Sequence, residues 1–205
     1  MRIGVIGSGR IGGTAARLFA AAGHDVAIAN SRGPESLAGL VAEIGDRARA
    51  ETVEGAASFG DVVLLAIPFV RYADLPTGQL TGGIVIDAGN YYPNRDGHHA
   101  ALDADETTSS ELLAEQIPGA RVVKAFNTLY FEHLRDRAAA GGSERTALLL
   151  AGDDQDAKDR VAALISDVGL APVDAGTLAA GGRKMQPGAP LSGELLTEAE
   201  ARARV

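Results

Sequence analysis

The sequence has no cysteine and no tryptophan, only four histidines and two methionines, and no apolar run long enough to cross a membrane. The first absence removes disulfides, a thiol nucleophile and any thiolate metal site, and it suits a reducing, cytoplasmic setting. His98 and His99 are adjacent in the chain but lack the further ligands that a metal ion needs, so no metal site is expected. The longest apolar run, 62–70, is broken by Pro68. The first residues lack a signal-peptide layout, because their apolar side chains belong to a strand interrupted by glycine. Positive charge is also scarce: 19 lysines and arginines stand against 27 acidic residues, a formal net charge of −8. That balance argues against nucleic acid or an anionic membrane as a partner. No serine lies in a G-x-S-x-G elbow, which leaves hydrolase chemistry without support.

Glycine, by contrast, is plentiful, and its most informative cluster opens the chain. An apolar run, Ile3 to Ile6, leads directly into Gly7-Ser8-Gly9-Arg10-Ile11-Gly12, and a helix-compatible stretch follows at once. Strand, glycine turn and helix in that order are the dinucleotide-binding fingerprint in its required context. Gly7 allows the tight turn, Gly9 lets the backbone approach a pyrophosphate, and Gly12 lets the helix pack closely on the strand. The N–H groups at the helix start then face the phosphates. The second apolar run ends in Asn30-Ser31-Arg32. A site selective for NAD offers Asp or Glu there to the ribose 2′-hydroxyl, whereas an amide, a hydroxyl and a guanidinium suit the 2′-phosphate of NADP. The expected cofactor is NADP.

Strand and helix signals alternate along the chain without an obvious linker. Strands are expected at 2–7, 25–30, 62–67, 83–88, 121–126 and 146–151, with weaker ones near 47–51 and 171–174. Their near-continuous Val, Ile, Leu and Ala content fits parallel strands covered on both faces. The fold class is therefore α/β, a Rossmann-type, doubly wound and mainly parallel sheet with a short C-terminal extension. Residues 1–176 form the NADP-binding domain. Residues 177–205 form an irregular tail with a short terminal helix, packed on the core or on a dimer partner. The pairs Thr108/Glu111 and Thr197/Glu200 read as capping boxes that open helices. A short amphipathic tail is not stable alone, which is the reason to expect a homodimer.

In an open sheet of this kind the ligand lies across the carboxyl ends of the strands. That rule selects Pro68 and Phe69, then Gly89-Asn90-Tyr91-Tyr92, then Asn127 and Thr128, and finally Gly152-Asp153-Asp154. The first three groups, with the glycine turn, are candidates for the nicotinamide end of a cleft. Phe69 or Tyr91 would supply a flat wall and Asn90 or Asn127 an amide, although turn and cap roles explain Asn and Gly equally well. Lys124 lies inside an apolar run, where an unpaired ammonium is costly, and it reads as a paired structural lysine rather than a proton donor.

Seven segments in order, from the glycine turn through NSRGPESLA, LLAIPF, DAGNYYP, SSELLAEQIPGARVVKAFNT and LLLAGDD to PVDAG, make the chain resemble the NADP oxidoreductases dependent on coenzyme F420. The resemblance covers most of residues 1–176. It extends to the cytosolic domain of the transmembrane metalloreductases, which carry a related KxFN segment. It implies 2′-phosphate contacts at Ser8, Ser31 and Arg32, and a proline-aromatic wall at Pro68 and Phe69. It also implies direct hydride transfer from nicotinamide to deazaflavin, with no side chain acting as acid or nucleophile. The chain departs from the pattern at Asn127-Thr128, where the F420 enzymes carry His-Thr, and in its more polar tail.

The residues expected to bind the cofactor are Gly7, Ser8, Gly9, Arg10, Ile11, Gly12, Asn30, Ser31, Arg32, Ala66, Ile67, Pro68 and Asn90. Phe69, Tyr91, Asn127 and Thr128 are expected at the substrate pocket, and no residue is expected to be catalytic. The leading function is an NADP-dependent oxidoreductase exchanging hydride with a flat acceptor, coenzyme F420 or a flavin. Two other readings stay open: a reductase of a small carbonyl or imine, and a non-catalytic NADP-binding redox sensor.

Overall fold

The structure is a computed structural model and describes residues 1–140 and 145–205. The apolar runs form eight strands: β1 (Arg2–Ile6), β2 (Asp25–Ala29), β3 (Ala48–Ala50), β4 (Val62–Leu65), β5 (Ile84–Asp87), β6 (Arg121–Ala125), β7 (Ala147–Gly152) and β8 (Ala171–Asp174). They make one sheet in the order β3-β2-β1-β4-β5-β6-β7-β8. The helices of the first half are α1 (Arg10–Ala21), α2 (Ala38–Ile44), α3 (Val53–Phe59), α4 (Thr77–Leu80), α5 (Pro93–Asp96) and α6 (Ala100–Asp103). Those of the second half are α7 (Ser109–Gln116), α8 (Phe131–Ala140), α9 (Gln155–Asp167), α10 (Ala180–Lys184) and α11 (Glu198–Arg202). Both capping boxes are present, at the starts of α7 and α11.

Strands buried on both faces need helices on both faces, and two separate cores provide them. On one side Phe19 of α1, Leu134 of α8 and Val161 and Leu164 of α9 share one core with Ile3, Val5, Ile28 and Leu64. On the other, Ala56 and Ala57 of α3, Leu80 of α4 and Leu113 of α7 pack against Ile6, Val63, Leu65 and Val85. The order of strands reverses between β1 and β4, so their connections leave toward opposite faces and open a crevice at the carboxyl edge. Register brings the strand ends level there. Ile6 stands beside Ala29 and Leu65, and the ladder continues through Gly7 N–H to Ala29 O at 2.8 Å and Ala66 N–H to Ile6 O at 2.8 Å.

One expectation about the strand ends is corrected. β7 runs antiparallel to β6, with Lys124 opposite Ala151, and β8 follows β7. The end of β7 therefore lies at the edge away from the crevice, so Gly152-Asp153-Asp154 cannot belong to the same site. Asp154 instead caps α9 by accepting from Ala157 N–H at 2.8 Å, and Asp153 accepts from Leu178 N–H at 3.0 Å. Apolar content shows that a strand is buried but carries no sign of its direction.

The tail 177–205, expected to be irregular up to its short terminal helix, also contains α10. Met185, Leu191, Leu196 and Ala201 of the tail close a third core over Leu149, Ala151 and Val173. Leu196 O also accepts from Ala147 N–H at 2.8 Å. The apolar side of the tail is thus used within the chain, and it gives no separate reason for a second subunit.

His24 yields a prediction about stability. It is buried edge-on to Phe19, and its Nδ1 lies 3.2 Å from the terminal amine of Met1. Asp167 is 3.2 Å from Nε2, but the geometry gives that nitrogen no aligned hydrogen bond. Burial first, and the amine second, push the imidazole pKa below its ordinary value. The fold therefore resists a proton that the unfolded chain accepts, and stability falls as pH drops through about 6.5. Unfolding midpoints of the wild type measured from pH 8 to pH 5 should fall more steeply than those of His24→Gln. Parallel curves for the two proteins contradict this.

Candidate functional site

The site begins where β1 meets α1. Gly7 has a φ of 108°, and a Cβ there would overlap the carbonyl of Ala66 at the end of β4. A Cβ on Gly12 would overlap the carbonyl of Gly7, so α1 packs on the turn only because this position is glycine. Gly9 differs, since an added Cβ would meet no protein atom within 4 Å. Its backbone faces open space, which is the room an approaching phosphate needs. α1 starts at Arg10 with no side-chain cap and no acidic residue in its first turn, leaving its first N–H groups free for an anion.

A trough runs from this turn along the carboxyl edge in both directions. Toward β2 it widens into a cavity of about 450 Å³ lined by residues 6–9, 30–32 and 66–68. Asn30 organises this end. Its Nδ2 donates to Ser8 Oγ at 3.0 Å and to Ser36 Oγ at 2.9 Å, while its Oδ1 accepts from Arg32 N–H at 2.8 Å. The loop is thereby set before any ligand arrives, and Ser31 and Arg32 are left exposed at the rim. Val53, Arg71, Asp74 and Leu75 complete the cavity and were not expected from the sequence. Arg71 is held by Asp74 at 2.9 Å. Nothing local marks these four: Val53 opens α3 before β4, and the other three follow β4 and reach the site only once β4 lies beside β1.

In the other direction the trough continues between β4 and β5. A cavity of about 260 Å³ is lined by Gly9, Arg10, Ile11, Ala66, Ile67, Pro68, Ala88, Gly89, Asn90, Tyr92 and Arg95. It leads to a third space of about 460 Å³ that adds Asn127, Thr128, Leu129, Tyr130 and Phe131 and, from the tail, Pro187, Gly188, Ser192 and Gly193. Asn90 and Asn127 pair reciprocally: Asn90 Nδ2 donates to Asn127 O at 3.1 Å, and Asn127 Nδ2 to Asn90 Oδ1 at 3.0 Å. Asn127 Nδ2 also donates to Met185 O at 2.8 Å, and Gly193 N–H donates to Thr128 O at 2.8 Å, which ties the tail to this wall.

Phe69 and Tyr91 do not line these three cavities. The Phe69 ring packs edge-on against Tyr72, Tyr91 and His99. The Tyr91 hydroxyl donates to Asp103 Oδ1 at 2.7 Å and accepts from His99 N–H at 2.9 Å, holding the 91–103 segment together. Tyr92 and Tyr130 take the lining places, Tyr130 with 67 % of its surface exposed. Arg10 lies over the Phe131 ring, 5.1 Å from its centroid. His98 pairs with Asp103 at 2.9 Å, and no cluster of three metal-ligating side chains occurs among the described residues. No helix among them is long and apolar enough to cross a membrane.

Lys124 is paired, as expected of a lysine in an apolar strand. It is 1 % exposed and lies 3.1 Å from Oδ2 of Asp87, itself fully buried. Asp87 accepts three more bonds, from Tyr72 OH, from Ser110 Oγ at 2.6 Å and from Gly89 N–H at 2.9 Å. Burial, and then the Asp87 charge, push the Tyr72 hydroxyl well above the ordinary tyrosine range, so it remains a proton donor to that carboxylate.

The family of coenzyme F420-dependent NADP oxidoreductases matches residues 2–91. A hypothetical protein from Sinorhizobium meliloti is 39% identical, with 97% of this chain and 95% of that one covered and a TM-score of 0.85. A protein from Arthrobacter assigned as an F420-dependent NADP reductase is 26% identical over 89% of this chain and 88% of that one, with a TM-score of 0.74. Metalloreductase STEAP3 of Rattus norvegicus is 29% identical over 180 residues, 87% of this chain. The chain spans 34% of the length of that curated relative. An imine reductase from Aspergillus terreus shares the fold, at 16% identity and a TM-score of 0.61. Over residues 2–91 the chain matches the family of NADP oxidoreductases dependent on coenzyme F420, and the two bacterial structures extend that similarity along most of its length.

Proposed function

We propose that the protein binds NADP(H) along the trough and exchanges hydride with a flat deazaflavin or flavin held beside Tyr92, Tyr130 and Phe131. The observation that carries this reading is the continuity of the three cavities across the carboxyl edge. The central one shares Gly9 and residues 66–68 with the first, and Arg10, Ile11, Ala88, Asn90 and Tyr92 with the third. Such a row has room for the two ends of a dinucleotide and for a second ring system facing the nicotinamide.

In this reading Gly9 and the start of α1 bind the pyrophosphate, and Ser8, Ser31 and Arg32 bind the 2′-phosphate. Asn30 acts through Ser8 and Arg32, whose positions it sets. Ile67, Pro68, Ala88 and Asn90 enclose the nicotinamide, and Asn127 and Thr128 border the acceptor. When bound, NADPH supplies a hydride and the acceptor takes it up together with one proton from water. The residues lining the third cavity include no histidine or carboxylate, and in this reading the protein contributes proximity and orientation rather than proton transfer. The aromatic walls also suit a planar ring better than a small carbonyl compound.

Three outcomes test this. Mixed with NADPH, the protein should bleach nicotinamide absorbance when deazaflavin or flavin is added and not when imines or keto acids are added; the reverse pattern overturns the assignment. Arg32→Ala should weaken NADPH by roughly 10-fold, the lower end for a charge-assisted bond because the side chain is exposed, and leave NADH nearly unchanged. Equal affinities of the wild type for NADPH and NADH contradict the 2′-phosphate role. Gly9→Val should abolish binding of both nucleotides while the melting temperature stays near wild type, since its Cβ meets no protein atom within 4 Å and its methyl groups enter the proposed phosphate space.

A further inference from the structure

Behind the trough lies a buried group that the proposed reaction does not use: Tyr72, Asp87, Ser110 and Lys124. We propose that Lys124, paired with Asp87, is a positioning residue that fixes the Gly89–Asn90 backbone as the wall of the nicotinamide subsite; this rests on the placement of the nicotinamide given above.

A buried ion pair is often no more stabilising than two apolar side chains of similar volume, so core stability alone does not account for charges at 124 and 87. What apolar side chains cannot do is bond the turn after β5. Asp87 Oδ1 accepts from Gly89 N–H at 2.9 Å, and the Lys124 ammonium donates to Gly89 O, so both polar groups of Gly89 are held from inside the fold. Glycine is required there because a Cβ would overlap the Tyr72 hydroxyl, and glycine is also the residue with most backbone freedom to be restrained.

The next residue is held as firmly. Asn90 O accepts from Arg95 Nη2 at 2.6 Å, and its side chain is locked in the reciprocal pair with Asn127. Between Lys124 and Asn127 lies Phe126, a buried non-glycine residue with a φ of 63°, in the left-handed region. Lys124 and Asn127, on either side of Phe126, therefore hold neighbouring residues, Gly89 and Asn90 respectively. Gly89 and Asn90 both line the central cavity.

The test separates positioning from support of the fold. Lys124→Met alone strands the Asp87 carboxylate without its counter-charge and is expected to be less stable. The double variant Asp87→Asn/Lys124→Met removes both charges; the asparagine still accepts from Tyr72 and Gly89, but Gly89 O has no donor. Melting temperature, affinity for NADPH and affinity for 2′-phospho-ADP-ribose, which lacks nicotinamide, are measured for wild type and variants. The expected result is a folded double variant that binds 2′-phospho-ADP-ribose like wild type, binds NADPH on the order of 10-fold more weakly, and loses kcat by about 10- to 100-fold with little change in acceptor KM. Tyr72→Phe, which deletes one neutral bond to Asp87, should weaken NADPH in the same direction by roughly 2- to 12-fold and leave the truncated nucleotide unaffected. Wild-type NADPH affinity in both folded variants overturns the inference, and so does equal weakening of the two nucleotides. If the double variant does not fold, Tyr72→Phe alone decides. A wild type that binds NADPH but reduces no flavin or deazaflavin removes the proposed reaction and leaves this affinity test standing. One that does not bind NADPH overturns both.

Discussion

At the end of β1 the backbone turns into α1 while touching the end of β4, and the whole site depends on how closely those three pieces approach. Gly7 and Gly12 are the points of contact: side chains there would run into the carbonyls of Ala66 and of Gly7 itself. The result is a helix start without a side-chain cap beside Gly9, where an added Cβ would meet no protein atom within 4 Å. A phosphate-sized space framed by free backbone donors follows from sterics before any charged side chain is considered. Everything further along the trough is placed by the strands that this packing holds level.

The parts of this arrangement set by neighbouring residues were legible in the sequence. All eight strands occur where apolar runs predict them, and both capping boxes form, because burial and capping act over a few residues. The glycine turn was legible for the same reason. The direction of β7 was not, since an apolar strand looks the same read either way, and Gly152-Asp153-Asp154 was misassigned with it. Arg71 in the first cavity and Tyr130 with the tail residues in the third were equally hidden. They come to the site through pairings between distant parts of the chain. Phe69 and Tyr91 show the same limit: position after a strand predicts nearness to the edge, but the 91–103 segment folds over Phe69 and turns both rings to each other.

The two ends of the trough are built differently. Near β2 the recognition groups stand exposed on a loop that Asn30 has already shaped, which suits capture of a mobile phosphate. Between β5 and β6 the walls are backbone, held from behind by buried charge and by a reciprocal amide pair. An edge of that kind offers little side-chain chemistry but keeps its shape, and shape is what a direct transfer between stacked rings requires. The tail belongs to this rigid half, bonded at Met185 and Gly193 and packed by its own small core.

The central claim is that hydride passes directly from nicotinamide to a planar acceptor in the space beside Tyr92 and Tyr130. It is tested most directly with NADPH deuterated at nicotinamide C4 and a deazaflavin acceptor, whose reduced C5 carries hydrogen that does not exchange with water. Mass spectrometry of the product should find deuterium at C5 in the enzyme-catalysed reaction run in ordinary water. A reduced deazaflavin without the label, or NADPH that stays unoxidised in the presence of deazaflavin and flavin although the protein binds it, contradicts the account.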